Sequence, residues 1–368
     1  MTAETARRLD SLDAFRGLTI AAMILVNNPG SWSYVYAPLG HAAWHGWTPT
    51  DLIFPYFLFI VGVAIPFSFR RRLAEGANRR SLLGHVARRS AILVALGLAM
   101  RAVPDFDVTT MRYYGVLQRI GLVYFVAASL YLFFGRRGRA VATVSLLLGY
   151  WALMMLVPVP GFGAGDLSPE GNLAAWIDRA LLYGHLWQGD WDPEGLLSTL
   201  PAIATSLLGI MTGEWLRTER TPADKVRVLL ITGVVFTAVG WAWGLVFPIN
   251  KNLWTSSYVV FTAGTALLLL GALYWAIDVR RLRGWWEEWM VVYGRNAIVV
   301  FVASGMVAKA MGRIRLGERT SLYGWIYETL FRSWGGDYPG SLAFALAYVA
   351  SWLGVMWLFH ARRIYIKI

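Results

Sequence analysis

Cysteine is absent from this 368-residue sequence. That excludes disulfides, thiolate metal sites and a cysteine nucleophile together, and it leaves the redox compartment without bearing on the fold. Charge is scarce as well: 15% of the residues are charged, against about 25% in an ordinary soluble domain. Acid is scarcer than base, with 22 Asp and Glu against 34 Lys and Arg. Low-complexity tracts, a separate soluble domain and a clear internal repeat are missing too. What fills the sequence is apolar: 57% hydrophobic residues, 37 Gly and 19 Trp, with a mean hydropathy of +0.49. Gly is favoured within membrane helices and Trp at membrane interfaces.

A spanning helix needs roughly 20 mainly apolar residues to cross about 30 Å of hydrocarbon. Such runs stand near 12–29, 51–69, 86–103, 114–134, 140–158, 195–215, 227–247, 255–277, 288–310 and 341–360. Most lack strand-like alternation, and a backbone in lipid must be helical or a closed barrel. The sequence therefore predicts an all-α integral membrane protein, a polytopic bundle of about ten transmembrane helices forming a single domain over 1–368. Segments 1–16, 70–89, 135–139, 214–227, 278–286 and 360–368 hold 23 of the 34 basic residues. All six fall on one side of a ten-span arrangement, so the positive-inside rule makes that side the cytoplasm and places both termini there. Because the basic charge sits in short inter-helix loops, the partner it implies is the bilayer, and no nucleic acid is expected. The loop near 311–340, with Arg313, Arg315, Arg319 and Arg332, runs against the rule. Asp13 and Arg16 follow the basic start and no small-residue cleavage site follows them, so the first span is expected to be an uncleaved anchor.

Three outward-facing loops are long: 30–50, 159–194 and 311–340. Loops of that length in a compact protein are usually functional or disordered, and these are rich in rings, among them Trp32, Tyr34, Tyr36, Trp44, Trp47, Trp187 and Trp191. Rings with polar tips suit the headgroup boundary, and some suit the face of a sugar. Segment 172–188 reads as an interfacial helix with Trp176, Leu181, Leu182 and Leu186 on its apolar side.

Polar groups inside a membrane are costly and mark candidate sites. Here they gather at outer helix ends: Asn27 and Asn28, His41, His45 and Asp51, Gln118 and Arg119, Asp192 and Glu194, then Asn250, Lys251 and Asn252. Arg295 and Asn296 sit inside the ninth span instead. Helix capping and snorkelling explain any one of these groups singly; the whole set on one side points to a site. His41 and His45 are four apart, which suits a metal, but no Glu follows His41 and no third ligand is evident, so no metal is expected. A general-base reading needs an imidazole, a carboxylate to orient it and a donor for an oxyanion. His41 or His45, Asp51 and Asn27 supply those roles, while Asp51 also suits the first turn of the second span. His85, His185 and His360 read as solvated or interfacial. Arg70, Arg71 and Arg72 recommend themselves for a nucleotide only by being basic and cytoplasmic.

Several runs together resemble the heparan-alpha-glucosaminide N-acetyltransferase family: Ser11-Leu-Asp-Ala-Phe-Arg-Gly-Leu18, Asn27, His41-Ala-Ala-Trp-His-Gly46, Thr50-Asp-Leu-Ile-Phe-Pro-Tyr-Phe57, Gly115-Val-Leu-Gln-Arg-Ile-Gly121, Asp192-Pro-Glu-Gly195, Asn250-Lys-Asn-Leu-Trp254 and Gly294-Arg-Asn-Ala297. They occur in the family's order. The resemblance implies a transmembrane acyltransferase that moves acetyl from cytoplasmic acetyl-CoA to the amine of a glucosamine-type sugar on the far side. It implies His41 as the catalytic histidine, as base or acetyl carrier, and Asn27 as the active-site asparagine. Asp51 would fix the imidazole, and Gln118, Arg119, Asp192, Glu194, Asn250, Lys251, Asn252, Trp254 and Asn296 would bind substrate or acetyl-CoA; Arg119 and Lys251 equally suit pairing with Glu194 and Asp192 across helices, and Asn296 a helix–helix hydrogen bond. The broader acyltransferase-3 group shares the Leu-Asp-x-x-Arg-Gly opening but carries His where this sequence has Asn27. The chain is expected to lack the lumenal N-terminal extension of the animal enzymes, and its stretch between Asn27 and His41 looks longer than theirs. The expectation is a multi-pass enzyme of a bacterial inner (plasma) membrane, with its active site toward the outer, periplasmic side. Helix bundles of this kind often pair, so a homodimer is one expectation. The rival reading is a membrane carrier for amino sugars or sugar fragments, for which the polar set lies too far from the midplane.

Overall fold

The computed structural model describes residues 9–103, 107, 109–187, 189–316 and 320–366. Arg7, Arg8, Arg319 and Lys367, which entered the charge argument, lie outside the described residues, as do the side chains of Arg70 and Arg71. The described elements are helices, with two isolated bridges, Val159–Gly163 and Arg315–Ser321. The helices are α1 Asp10–Asn27, α2 Pro49–Ala74, α3 Arg79–Ala102, α4 Val116–Phe133, α5 Arg136–Leu156, α6 Leu173–Leu182 and α7 Thr199–Leu216. There follow α8 Pro222–Trp243, α9 Ser256–Leu273, α10 Trp285–Arg295, α11 Ala297–Arg313, α12 Leu322–Tyr327, the single turn α13 Ser333–Gly335, and α14 Asp337–Ala361. α9 runs on as a π-helical turn, Tyr274–Val279.

A helix stands at every one of the ten predicted positions, but seven are long and apolar enough to cross a bilayer, or up to eight if one bent pair is a single span. The count of ten is therefore not confirmed, for local reasons. α1 carries Asp10, Asp13 and Arg16 in its first two turns. α7 is diluted by Thr199, Thr205, Ser206, Thr212 and Glu214, and it begins at Thr199 rather than 195. The ninth predicted span is α10 and α11, bent by 80° at Asn296. The protein is nonetheless a multi-pass membrane protein, since seven such helices have no use in water.

The described chain groups into two compact units. The first comprises Ala43–Gly46 and Pro55–Trp275, and the second Leu9–Ala42, Trp47–Phe54 and Ala276–Ile368. Helix packing inside the first unit follows the small-residue rule for membranes, where close backbones replace a hydrophobic drive. A Cβ on Gly209 would sit 2.1 Å from the carbonyl oxygen of Phe59, and one on Gly62 would sit 2.1 Å from that of Ser206. Ser206 Oγ also donates to Leu58 O at 2.8 Å, so α2 and α7 are held by hydrogen bond as well as by contact. Serine does the same between α4 and α3, where Ser90 Oγ donates to Gly121 O at 2.7 Å.

The second unit explains two of the sequence blocks structurally. In the Leu-Asp-x-x-Arg-Gly run, Asp13 is buried and Arg16 Nη1 donates to its Oδ1 at 2.8 Å. Gly17 and Gly294 let α1 and α10 touch: an added Cβ would lie 1.7 Å from Met290 O and 1.9 Å from Asp13 O respectively. Arg16 and Gly17 therefore serve packing, as does the glycine of Gly294-Arg-Asn-Ala297.

Candidate active site

In the second unit the site is built around the buried head of α2. Asp51 lies in the first turn of that helix and is 1% exposed, so its carboxylate must be satisfied internally. Oδ2 accepts from Ala42 N and from Thr48 N, both at 3.0 Å, while Thr48 Oγ1 gives its one proton to Gly40 O at 2.7 Å. Oδ1 is left for His41, whose Nδ1 lies 2.6 Å away. A carboxylate with those donors on its other oxygen acts as acceptor, so Nδ1 carries the proton and donates. Nε2 is then the unprotonated nitrogen, on a side chain that is half exposed. The helix-capping and histidine-orienting readings of Asp51 are thus one arrangement.

Asn27 and Asn28 part company at the end of α1. Asn28 is buried and its Nδ2 donates to Ile24 O at 2.7 Å, a structural cap. Asn27 is exposed, and among the described residues its amide has no hydrogen-bond partner. Asn296, also in this unit, is at the opposite end of α1, where Gly294 meets Asp13. That is about 20 Å of helix from Asn27 at 1.5 Å per residue. Its amide is fully used: Nδ2 donates to Ile364 O and Oδ1 accepts from Ile366 N, both at 3.0 Å. Asn296 clamps the C-terminal segment at the bend between α10 and α11, and the structure does not bring it to His41.

The first unit holds the remaining candidates in two linked groups. Asn250 starts a tight turn, with Oδ1 accepting from Leu253 N at 2.9 Å. That fixes the orientation of the amide, so Nδ2 is the donor to His45 Nδ1, 3.2 Å away. His45 therefore accepts at Nδ1 and carries its proton on Nε2, the opposite tautomer from His41. Partial burial lowers its pKa from the ordinary imidazole value as well. Gly46 N donates to Ile249 O at 2.7 Å, and Trp44 packs edge-on against Trp191 at 5.1 Å. Trp254 ends the turn at φ 52°, a left-handed conformation costly for a bulky residue. The strain is held by burial, by Nε1 donating to Thr205 Oγ1 at 3.2 Å, and by Arg119 stacked 5.1 Å over the ring. Asn252 is half-buried, and among the described residues its amide has no partner.

Arg119 is fully buried one turn into α4. It donates to Gly195 O at 2.9 Å and to Ser198 Oγ, but among the described residues its Nε and Nη1 have no partner. Gln118 packs against Gly97 and donates to Tyr113 O at 3.1 Å, tying down the loop before the helix. Asp192 and Glu194 are not paired by Arg119. Their cation is Arg112, which the sequence did not single out: its Nε donates to Asp192 Oδ2 at 2.6 Å, and Nη2 reaches both Asp192 Oδ1 and Glu194 Oε2. Burial opposes the Glu194 carboxylate, but Arg112, Arg119 and Lys251 outweigh it and hold its pKa below the ordinary value. The trio ends before α7, so both carboxylates belong to a turn rather than to a helix start. The missed cation had a signal: two carboxylates flagged as buried need more positive charge than one arginine supplies.

Asp178, on the short helix α6, was also missed. It is 1% exposed, and its Oδ1 accepts from Leu196 N at 2.9 Å. A Cβ on Gly195 would fall 1.8 Å from its Oδ2, which explains that glycine. Burial pushes the Asp178 pKa up to about 7, with Asp192 adding to the rise. An aspartate whose folded pKa exceeds its unfolded one binds more protons folded, so its contribution is full below about pH 4 and is lost as pH climbs through 7. The thermal midpoint of the purified protein should fall between about pH 5 and pH 8. Asp178→Asn, which keeps the acceptor for Leu196, should flatten that slope by up to about 1.4 kcal/mol per pH unit. Equal slopes in the two proteins would show that Asp178 is ionised throughout.

Among the described residues no group of three metal-ligating side chains is found. Residues 8–238 match the family described as heparan-alpha-glucosaminide N-acetyltransferase, catalytic. Heparan-alpha-glucosaminide N-acetyltransferase from Homo sapiens is 33% identical in a match that covers 80% of this chain and 52% of the human protein. The protein of the same name from Mus musculus is 33% identical in a match that covers 81% of this chain and 53% of the mouse one. The chain spans about half the length of the curated relatives it matches. On a match covering well over half of its residues, the chain belongs to the heparan-alpha-glucosaminide N-acetyltransferase catalytic family.

Proposed function

We propose that this protein is a transmembrane N-acetyltransferase that carries acetyl from acetyl-CoA on the cytoplasmic side to the amine of a glucosamine-type sugar on the outer side. Family membership supports the reaction class, and the observation that carries the residue assignment is the His41–Asp51 pair, with Nδ1 committed to the carboxylate at 2.6 Å. A sugar amine is largely ammonium near neutral pH and must lose a proton to attack a thioester. The ammonium proton goes to solvent, and His41 Nε2 takes the second proton from the neutral amine as its nitrogen bonds to the acetyl carbon. Asn27 Nδ2 donates to the oxyanion that forms, a role open to it because its amide is exposed and unengaged. Collapse breaks the carbon–sulfur bond, and the proton on Nε2 passes to the departing CoA thiolate. An acetyl group carried on His41 and passed on in a second transfer is the variant of this path.

In the first unit, Arg119 supports a ligand role with two buried nitrogens that have no partner among the described residues, and Asn252 with an amide in the same position. Gln118, Asp192, Glu194, Asn250, Lys251 and Trp254 hold the turns that present them. Purified protein incubated with acetyl-labelled acetyl-CoA and a panel of glucosamine-terminated acceptors tests the reading. Label on the acceptor amine supports direct or two-step transfer, and label on the protein alone supports the acetyl-histidine variant. A folded protein that neither binds nor turns over acetyl-CoA, yet binds amino sugars, would replace the enzyme by a carrier.

A further inference from the structure

The His41 side chain is half exposed, so packing alone does not hold its ring and its hydrogen bonds must. Both peptide groups that flank it are tied to the head of α2, all within the second unit. On one side Thr48 Oγ1 donates to Gly40 O at 2.7 Å; on the other Ala42 N donates to Asp51 Oδ2 at 3.0 Å. Gly40 O belongs to the peptide before His41 and Ala42 N to the peptide after it. Because each peptide is planar, the two bonds together restrain both backbone dihedrals of His41. Farther from the ring, Thr50 Oγ1 donates to Pro38 O at 3.2 Å, from a residue that is 4% exposed.

The hydroxyl of Thr48 does not serve the helix it precedes. A threonine just before a helix commonly accepts from the amide two or three residues on. Here the amide of Asp51 bonds to Thr48 O at 3.0 Å, and α2 begins with Pro49, which has no amide hydrogen. The hydroxyl proton goes outward to Gly40 O, while Thr48 N turns inward to Asp51 Oδ2 at 3.0 Å. Thr48 therefore touches both sides of the catalytic pair. Its amide holds the carboxylate, and its hydroxyl holds the peptide that carries the imidazole.

We propose that Thr48 is a positioning residue for the transfer reaction, its hydroxyl fixing the peptide before His41 so that Nδ1 keeps its proton on Asp51 and Nε2 remains the accepting nitrogen. The inference rests on the acetyltransferase reading. The Nδ1 to Oδ1 bond is 2.6 Å long, and such a bond weakens steeply as its angle falls toward about 120°. A loop free to swing exchanges Asp51 for water, and the neutral ring then takes either tautomer. In the Nε2–H tautomer the base is lost. The effect falls on turnover rather than on binding, because no ligand contact is removed.

The test compares wild type, Thr48→Val and Thr48→Ser as full chains in nanodiscs. Three quantities are read: the thermal midpoint, steady-state transfer from acetyl-CoA to glucosamine, and nitrogen-15 spectra of histidine-labelled protein without substrates. The chain has five histidines, and His41→Gln identifies the signal of His41. At about pH 8.5, well above the ordinary imidazole pKa, the spectra read ring tautomers directly. Valine keeps the shape and the amide and removes only the hydroxyl. It should leave the thermal midpoint as in wild type and turn the His41 signal from Nδ1–H to a mixture of tautomers. It should also lower kcat about tenfold, the size of one net hydrogen bond, with KM for both substrates unchanged. Serine, which keeps the hydroxyl, should recover most of that loss. A kcat for Thr48→Val within about twofold of wild type would overturn the proposal. So would a loss that serine does not recover, or one that comes with a lowered thermal midpoint and an unchanged His41 tautomer, which would make Thr48 a helix cap. A wild-type protein that transfers no acetyl, but whose His41 tautomer still shifts in Thr48→Val, would keep the positioning role and reject the enzyme.

Discussion

Asp51→Asn should abolish most acetyl transfer while leaving the protein folded, a loss of about 10²–10⁴-fold in kcat, the span that one acid–base group contributes. The physical reason lies in the two backbone donors on the far oxygen. Ala42 N and Thr48 N both point at Oδ2, so an asparagine must turn its carbonyl oxygen toward them to avoid a donor–donor clash. Its NH₂ then faces His41 Nδ1, which can only accept, and the imidazole proton moves to Nε2. The base is lost through a change of tautomer, with the ring still in place. His41→Ala should fall at least as far, and Asn27→Ala by about 10²–10³-fold, as loss of one oxyanion donor usually does. Because Asn27 is exposed and caps nothing, its variant should keep wild-type thermal stability. The decisive measurement is steady-state transfer with saturating acetyl-CoA, beside a binding curve for acetyl-CoA. Asp51→Asn within a few-fold of wild type would remove His41 as the base.

The helices were legible because hydropathy over about 20 residues reads the bilayer directly. Their ends and bends were not, because these depend on tertiary partners. Nothing local marks Asn296 as a break: it is an 80° bend because its amide is taken by Ile364 and Ile366, some 70 residues on. Asn250 belongs to the same class, since its amide orientation follows from Leu253 and so fixes the tautomer of His45, 205 residues away. The site residues at helix ends were found because polarity in an apolar chain stands out, yet polarity alone could not separate roles. Asn27 and Asn28 are indistinguishable as neighbours in sequence, and one is a buried cap while the other is exposed. Arg112 and Asp178 escaped for the opposite reason. Each lies in a segment read as loop or interface, where charge is unremarked, and only packing shows that both are buried.

Arg112 carries the largest expected effect on stability. Its side chain is 9% exposed, and it faces two carboxylates that are 0% and 7% exposed, one of them in contact through both guanidinium edges. Removing one partner of a buried ion pair commonly costs about 3–5 kcal/mol, because the other charge stays buried without compensation. Here two carboxylates would be stranded. Arg119 and Lys251 still stabilise Glu194, so Asp192 bears most of the penalty. Arg112→Gln should therefore lower the thermal midpoint steeply and reduce the yield of monodisperse protein at neutral pH. The sign of the pH response is fixed by the same pair. In wild type the depressed Glu194 pKa means stability present above the unfolded value and lost on acidification. In the variant the stranded carboxylates prefer their protons, so mild acid should recover part of what was lost. Adding Asp192→Asn and Glu194→Gln to Arg112→Gln removes the buried charge altogether and should restore stability toward wild type, since neutral replacement of a whole buried cluster is often tolerated. A single variant as stable as wild type at neutral pH would mean that water, and not Arg112, carries the two carboxylates.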